Sequence, residues 1–98
     1  RFAVFFVRDK NKINKWGKDK IRYALVHKGI TTDIIEAALS EIKEGNYNDT
    51  LKELLIKKRL GIKTANMYEI RGKLIRYGIQ KGYSFDIVYK LVDELLKD

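Results

Sequence analysis

Apolar residues recur at three- and four-residue steps along almost the whole chain, and no proline interrupts them. That spacing belongs to helices that each turn one face inward. It divides the chain into six segments. The first runs from Phe2 to Ile13. The second runs from Gly17 to Lys28, with Ile21 and Leu25 inward and Lys18 and Arg22 one turn apart on another face. The third opens at Thr31 or Thr32 as N-cap, with Asp33 where the helix dipole favours a carboxylate. Its inward stripe is Ile34, Ile35, Ala38, Leu39 and Ile42, and Gly45 with Asn46-Tyr47-Asn48 breaks the pattern. The fourth segment turns Leu51, Leu54, Leu55 and Ile62 inward, and Gly61 to Asn66 is a connector. The fifth, Met67 to Lys81, buries Ile70, Leu74 and Tyr77. The sixth is capped by Ser84 and Asp86 and buries Ile87, Val88, Leu91, Val92 and Leu95. No segment alternates with period two for long enough to form a strand. The expected fold class is all-α.

The pattern is also duplicated. Lys28-Gly29-Ile30-Thr31-Thr32-Asp33-Ile34-Ile35 returns 53 positions later as Lys81-Gly82-Tyr83-Ser84-Phe85-Asp86-Ile87-Val88. Lys20-Ile21 falls on Lys73-Leu74, Leu39 on Val92 and Ile42 on Leu95. A period of this length means one supersecondary unit copied in tandem. In both copies glycine, which adopts a left-handed conformation without a Cβ penalty, stops the second helix. The reading is two three-helix repeats, 1–44 and 45–98, packed side by side and split near Gly45.

Composition narrows the chemistry. There is no cysteine, so disulfides and thiolate zinc sites are excluded, and a reducing, cytoplasmic setting fits. No apolar run approaches the roughly 18 residues of a membrane span. The chain opens on Arg1 rather than Met, and Phe2, Phe5, Phe6 and Val7 follow at helical spacing. This is expected of a piece of a longer protein that enters at or just before a helix. His27, the one histidine, stands at a helix end, where it complements the dipole or is solvated. Glu36, Glu41 and Glu44 are spaced like a solvated helix face, and no Walker-type or G-x-G-x-x-G loop is present. Gly72 and Gly78 inside the fifth helix read as close-packing positions. Neither catalysis, a metal nor another cofactor is expected.

The net charge of +8 is unevenly placed, with nine Lys or Arg against two Asp in residues 1–30. Such asymmetry suits a polyanionic partner. Lys15, Trp16, Lys18, Lys20 and Arg22 gather around the start of the second helix, where free N–H groups and flanking cations would make an anion site. Arg71, Lys73 and Arg76 are the counterpart in the second copy. Lys57, Lys58 and Arg59 form a third cluster, which equally suits the C-terminus of the fourth helix. Trp16 reads as a core anchor at a helix junction, with base stacking as the alternative. The tyrosines at 23, 47, 68, 77, 83 and 89 scatter over both faces, and most read as packing residues with wet hydroxyls rather than an aromatic platform. The third helix, carrying Asp33, Glu36 and Glu41 with Glu44 just beyond, is too acidic for the major groove, so sequence-specific duplex readout is disfavoured.

Two stretches carry a family resemblance. One is Trp16-Gly17-x-x-Lys20-Ile21-x-x-x-Leu25-x-x-Lys28-Gly29-Ile30 followed by Ile34-Ile35-Glu36-x-Ala38-Leu39; the other is Lys73-Leu74 through Lys81-Gly82-Tyr83-Ser84-Phe85-Asp86-Ile87-Val88. They resemble the RecX regulatory proteins, built of tandem three-helix repeats, normally three. The resemblance places the second and third repeats here. It implies a non-enzymatic regulator that binds the groove of the RecA–DNA filament and restrains RecA's ATPase and strand exchange. It also implies weak, non-specific binding of single- or double-stranded DNA, and a monomer is expected. By position, the implied contacts are Lys18, Lys20 and Arg22 in one copy and Arg71, Lys73 and Arg76 in the other. Lys20 stands where the family commonly has arginine, which keeps the charge but loses the bidentate fork. The alternative reading is a general nucleic-acid-binding helical module without RecA involvement.

Overall fold

Every stretch of helical spacing folds as a helix in the computed structural model, which describes residues 1–97. Asp98, the last residue of the expected second unit, lies outside the described residues. The elements are α1 (Phe2–Lys12), α2 (Lys18–His27), α3 (Thr32–Leu39), α4 (Glu44–Leu60), α5 (Met67–Gln80) and α6 (Phe85–Leu96), with no strand among the described residues. The fold is all-α, as its spacing predicts.

The 53-residue period is visible in the backbone. Gly29 and Gly82 have φ of +82° and +103°. After Gly29, the Ile30 N–H reaches back to the Leu25 carbonyl at 3.1 Å; after Gly82, the Tyr83 N–H reaches Gly78 at 3.1 Å. These are the same helix-ending bond one period apart. Thr31 and Ser84 then take the N-cap positions with nearly identical backbone angles. The capping hydrogen bonds expected of them are not formed, and their side chains stay exposed. The side-chain cap comes instead from Asn66, whose Oδ1 accepts the Glu69 N–H at 3.1 Å.

Two boundaries differ from the sequence reading. α3 ends at Leu39, so Ile42 lies in the connector, where it packs against both cores. Ile34, expected inward, is 49% exposed. α4 runs straight through Gly45-Asn46-Tyr47-Asn48, although local propensity argues for a break. Tyr47 explains the difference. Its side chain is buried against Tyr83, ring centroids 4.9 Å apart, and this anchorage outweighs the weak helix preference of its neighbours.

Each bundle has its own core. Ala3, Val7, Ile21, Leu25, Ile35, Ala38 and Leu39 form the first. Leu51, Leu55, Ile70, Leu74, Ile75, Val88, Leu91 and Val92 form the second, with Tyr47 and Tyr83. Each fully buried Leu, Ile or Val contributes roughly 1.5–3 kcal/mol relative to exposure. Gly78 is a close-packing position as expected: a Cβ there would lie 2.9 Å from both Val88 methyl carbons. Gly72 is not, because a Cβ would meet only Arg76 Nη1 at 3.6 Å. Phe2 and Phe5 stay more than half exposed, while α1 buries Ala3, Val7 and Asn11.

Helix packing stays almost entirely within each bundle, α1 with α2 and α3, and α4 with α5 and α6. The molecule measures 45 × 24 × 21 Å with a radius of gyration of 14.5 Å, against about 13 Å for an isometric domain of this size. A rod this long, with so little helix contact between its halves, depends on the joint between them.

Candidate anion-binding surface

The joint occupies the site where the sequence places an anion. The N–H groups at the start of α2 face the second bundle instead of solvent. Gly17 N–H donates to the Lys81 carbonyl at 2.7 Å, and Asp19 N–H to the Gly82 carbonyl at 2.9 Å. Lys18 N–H donates to the Tyr47 hydroxyl at 2.7 Å, and the Tyr83 hydroxyl donates to the Lys15 carbonyl at 2.9 Å. The Gly17, Lys18 and Asp19 N–H groups are therefore satisfied by protein and are not free for an anion. Lys15 contributes through its backbone: it is the one non-glycine residue with positive φ, +62°, among the described residues. That conformation is fixed by Asn11, whose Nδ2 donates to the Trp16 carbonyl, and by the Trp16 N–H, which donates to Lys10.

The joint gives the two tyrosines unusual acidities. Burial pushes the Tyr47 hydroxyl up to about 12, and pushes Tyr83 up further still. A folded-state value above the unfolded value of about 10 means that the contribution to stability is complete below about pH 10. It is lost as the pH rises through the folded value, because the unfolded chain ionises first. The unfolding free energy from urea titrations should therefore fall between about pH 10 and 12, by about 1.4 kcal/mol per pH unit for each tyrosine. Tyr47→Phe should flatten this slope; an unchanged slope would contradict the burial of that hydroxyl.

The candidate cations separate into engaged and free. Arg22 is engaged: its Nε donates to Glu36 Oε2 at 2.7 Å and its Nη1 to Asp19 Oδ1 at 3.0 Å. The hydrogen bond it donates to Glu36 raises its pKa, and the Glu36 carboxyl is held below its ordinary value by the same bond. Arg71 donates to Asp93 Oδ1 at 2.9 Å, which raises its pKa likewise, and its guanidinium lies over the Tyr89 ring. Trp16 packs on the first core, edge-on to Phe6 at 6.5 Å, with the ammonium groups of Lys20 and Lys10 over its ring at 4.6 and 5.0 Å. Trp16 is half-buried at this helix junction. Lys18 lies over Tyr47 at 5.0 Å. Lys10, Lys28 and Lys81 join this group without having been singled out from sequence. Lys28 lies over Phe6, while Lys81 donates to the Asn14 carbonyl and has its pKa lowered by burial and then by the Lys20 charge.

Four other cations converge elsewhere. Lys58, Lys63, Lys73 and Arg76 line a cleft of about 430 Å³ between the end of α4, its connector and α5, together with Thr64, Tyr77 and Gln80. No carboxylate lines this cleft among the described residues. The run 57–59 does not act as a unit, because successive helical residues point about 100° apart. Lys58 turns into the cleft with its ammonium 5.1 Å from the Tyr77 ring centroid, whereas Lys57 is exposed and Arg59 partly buried, and neither lines it. Lys63 stands in the connector between α4 and α5, where periodicity carries no signal for it. Four like charges around one concavity concentrate positive potential and favour a multivalent anion.

Among the described residues no group of three potential metal ligands occurs, and no helix is long and apolar enough to cross a membrane. His27 ends α2, exposed and edge-on to Tyr23 at 4.4 Å.

Comparison with known proteins agrees with the two-bundle architecture. Residues 1–39 match the family model of the second three-helix domain of RecX, and residues 46–92 match that of the third. The chain is 37% identical over 97 residues to the regulatory protein RecX of Clostridium botulinum (strain Eklund 17B / Type B), covering 97% of this chain and 45% of that protein. It is 34% identical to RecX of Clostridium perfringens (strain 13 / Type A), with the same coverage. RecX of Bacillus cytotoxicus is 29% identical, over 99% of this chain and 36% of that protein. The chain thus spans less than half the length of these relatives. No solved structure matches it significantly. With both halves matched in order and the duplicated turn built identically in each, the chain belongs to the RecX family of regulatory proteins, of which it carries the second and third three-helix domains.

Proposed function

We propose that the chain regulates RecA recombinase without making or breaking bonds itself, by laying its basic cleft against the RecA–DNA filament. The observation that carries this is the acid-free grouping of Lys58, Lys63, Lys73 and Arg76 on a rod 45 Å long. The working units are the two repeats, 1–44 and 45–98, joined at α2 so that both meet the filament together. Lys18 and Lys20 at the joint, with Lys15 beside them, supply a second, weaker contact. Arg22 and Arg71 hold helices together, and Lys57 and Arg59 stand outside the site. Contacts that are individually weak gain from simultaneous engagement of a rigid rod.

The test is RecA ATPase on single-stranded DNA titrated with this chain, together with co-sedimentation with filaments and with bare DNA across a salt series. Slowed ATP hydrolysis and preferential pelleting with filaments are the expected results. No effect at several-fold excess over RecA would defeat the reading. Because the cleft chemistry fits any phosphate, equal binding to bare DNA would favour a nucleic-acid-binding module acting without RecA.

A further inference from the structure

Lys73 and Arg76 line two depressions, one on each flank of α5. On one side is the basic cleft. On the other is a groove of about 370 Å³ bounded by Tyr68 and Tyr89, with Gly72 and Ile75 also on its lining. Tyr68 is 86% exposed and Tyr89 is 44% exposed, so both present ring surface that the fold has not covered. Phe85 packs edge-on to Tyr89, and Arg71, held by Asp93 at 2.9 Å, lies over the same ring. The Tyr89 wall is therefore fixed from two sides. Gly72, which has no tight neighbour around its missing Cβ, leaves the lining low. Glu69 is the one carboxylate lining this groove among the described residues, and it disfavours a phosphate there.

We infer that α5 binds single-stranded nucleic acid astride its Lys73–Arg76 ridge, with phosphates in the basic cleft and an unstacked base against Tyr68 and Tyr89 in the groove. The inference rests on the reading that the cleft takes phosphates. An aromatic surface on one flank and unneutralised cations on the other match the two chemically distinct edges of a single strand. A duplex keeps its bases stacked inside, so it can satisfy the cleft but not the groove. The tyrosines are scattered in sequence; only the packing of α5 on α6 brings 68 and 89 to one groove.

The experiment measures binding of a short fluorescent oligodeoxythymidylate, an abasic strand of the same length and a duplex of the same length. Tyr68→Ala removes an exposed side chain and should leave the circular dichroism and urea midpoint unchanged. It should lower affinity for the oligodeoxythymidylate about ten-fold and leave the abasic strand and duplex unaltered. Lys73→Gln should weaken all three. If Lys73→Gln changes nothing, the cleft reading itself fails. If Lys73→Gln acts while Tyr68→Ala leaves the oligodeoxythymidylate unaffected, or weakens all three ligands equally, the stacking inference alone is overturned. It is also overturned if Tyr68→Ala abolishes pelleting with filaments while oligonucleotide binding is kept, since the groove would then dock protein.

Discussion

Gly17→Ala should unlock the two bundles from each other while leaving each core intact. The Gly17 backbone is extended, with φ −79° and ψ 170°, so alanine suffers no conformational strain there. The penalty comes from the opposite bundle. The new Cβ would overlap the Gly82 carbonyl and lie 2.6 Å from the Tyr83 nitrogen. Backbone atoms cannot rotate aside as a flexible side chain can, so the bundles must separate. Separation strips the joint of the Gly17, Lys18 and Asp19 N–H bonds and the Tyr83 hydroxyl bond. The expected loss is about 2–4 kcal/mol, combining overpacking with the broken hydrogen bonds. Urea unfolding should become two-step, and the small-angle scattering radius should grow. Gly29→Ala is the control. Gly29 is the counterpart of Gly82 one period earlier, at φ +82°, but nothing lies within 4 Å of an added Cβ. It should cost only the left-handed strain of roughly 1–2 kcal/mol and keep unfolding cooperative. Equal behaviour of the two variants would show that the joint is not as described.

The second large effect is on binding. Replacing Lys73 and Arg76 by glutamine should lower affinity for single-stranded DNA or filament roughly ten- to a hundred-fold at low salt. Four phosphate contacts give a log–log salt slope near −3 for a single strand, and removing two should bring it to about −1.5. Arg22→Gln should leave binding within about two-fold, because that guanidinium is already held by Asp19 and Glu36; its effect should be on stability, at most about 1 kcal/mol for so exposed a pair. Lys57→Gln, one residue from Lys58 but outside the cleft, should be equally silent in binding. Equal losses from all four positions would mean that net charge, rather than the cleft, governs the interaction.

These contrasts separate charge as composition from charge as placement. Arg22 and Arg71 look like the strongest phosphate ligands in the sequence, since their fork suits an oxyanion. In the folded chain the same fork suits Glu36 and Asp93, acids that lie 14 and 22 residues away along the chain. The acidic helix that argues against major-groove readout thus acquires a structural purpose in holding α2. Lys63 shows the opposite case. It has no periodic context, yet the connector folds back to bring it beside Lys73 and Arg76.

The sequence by itself determined the six helices, the 53-residue duplication and the glycine-ended turns, because each depends on contacts or backbone angles within a few residues. It also placed most of both cores, since a helix exposes its apolar stripe to periodicity. The tertiary structure decided what happens where chain segments far apart meet. Tyr47 and Tyr83 close the joint across 29 and 68 residues of chain, fill the helix end that had seemed open to an anion, and carry α4 through a stretch of poor helix formers. Hydrogen-bond partners and ion pairs at such separations are set by how bundles dock, and spacing along the chain carries no record of docking.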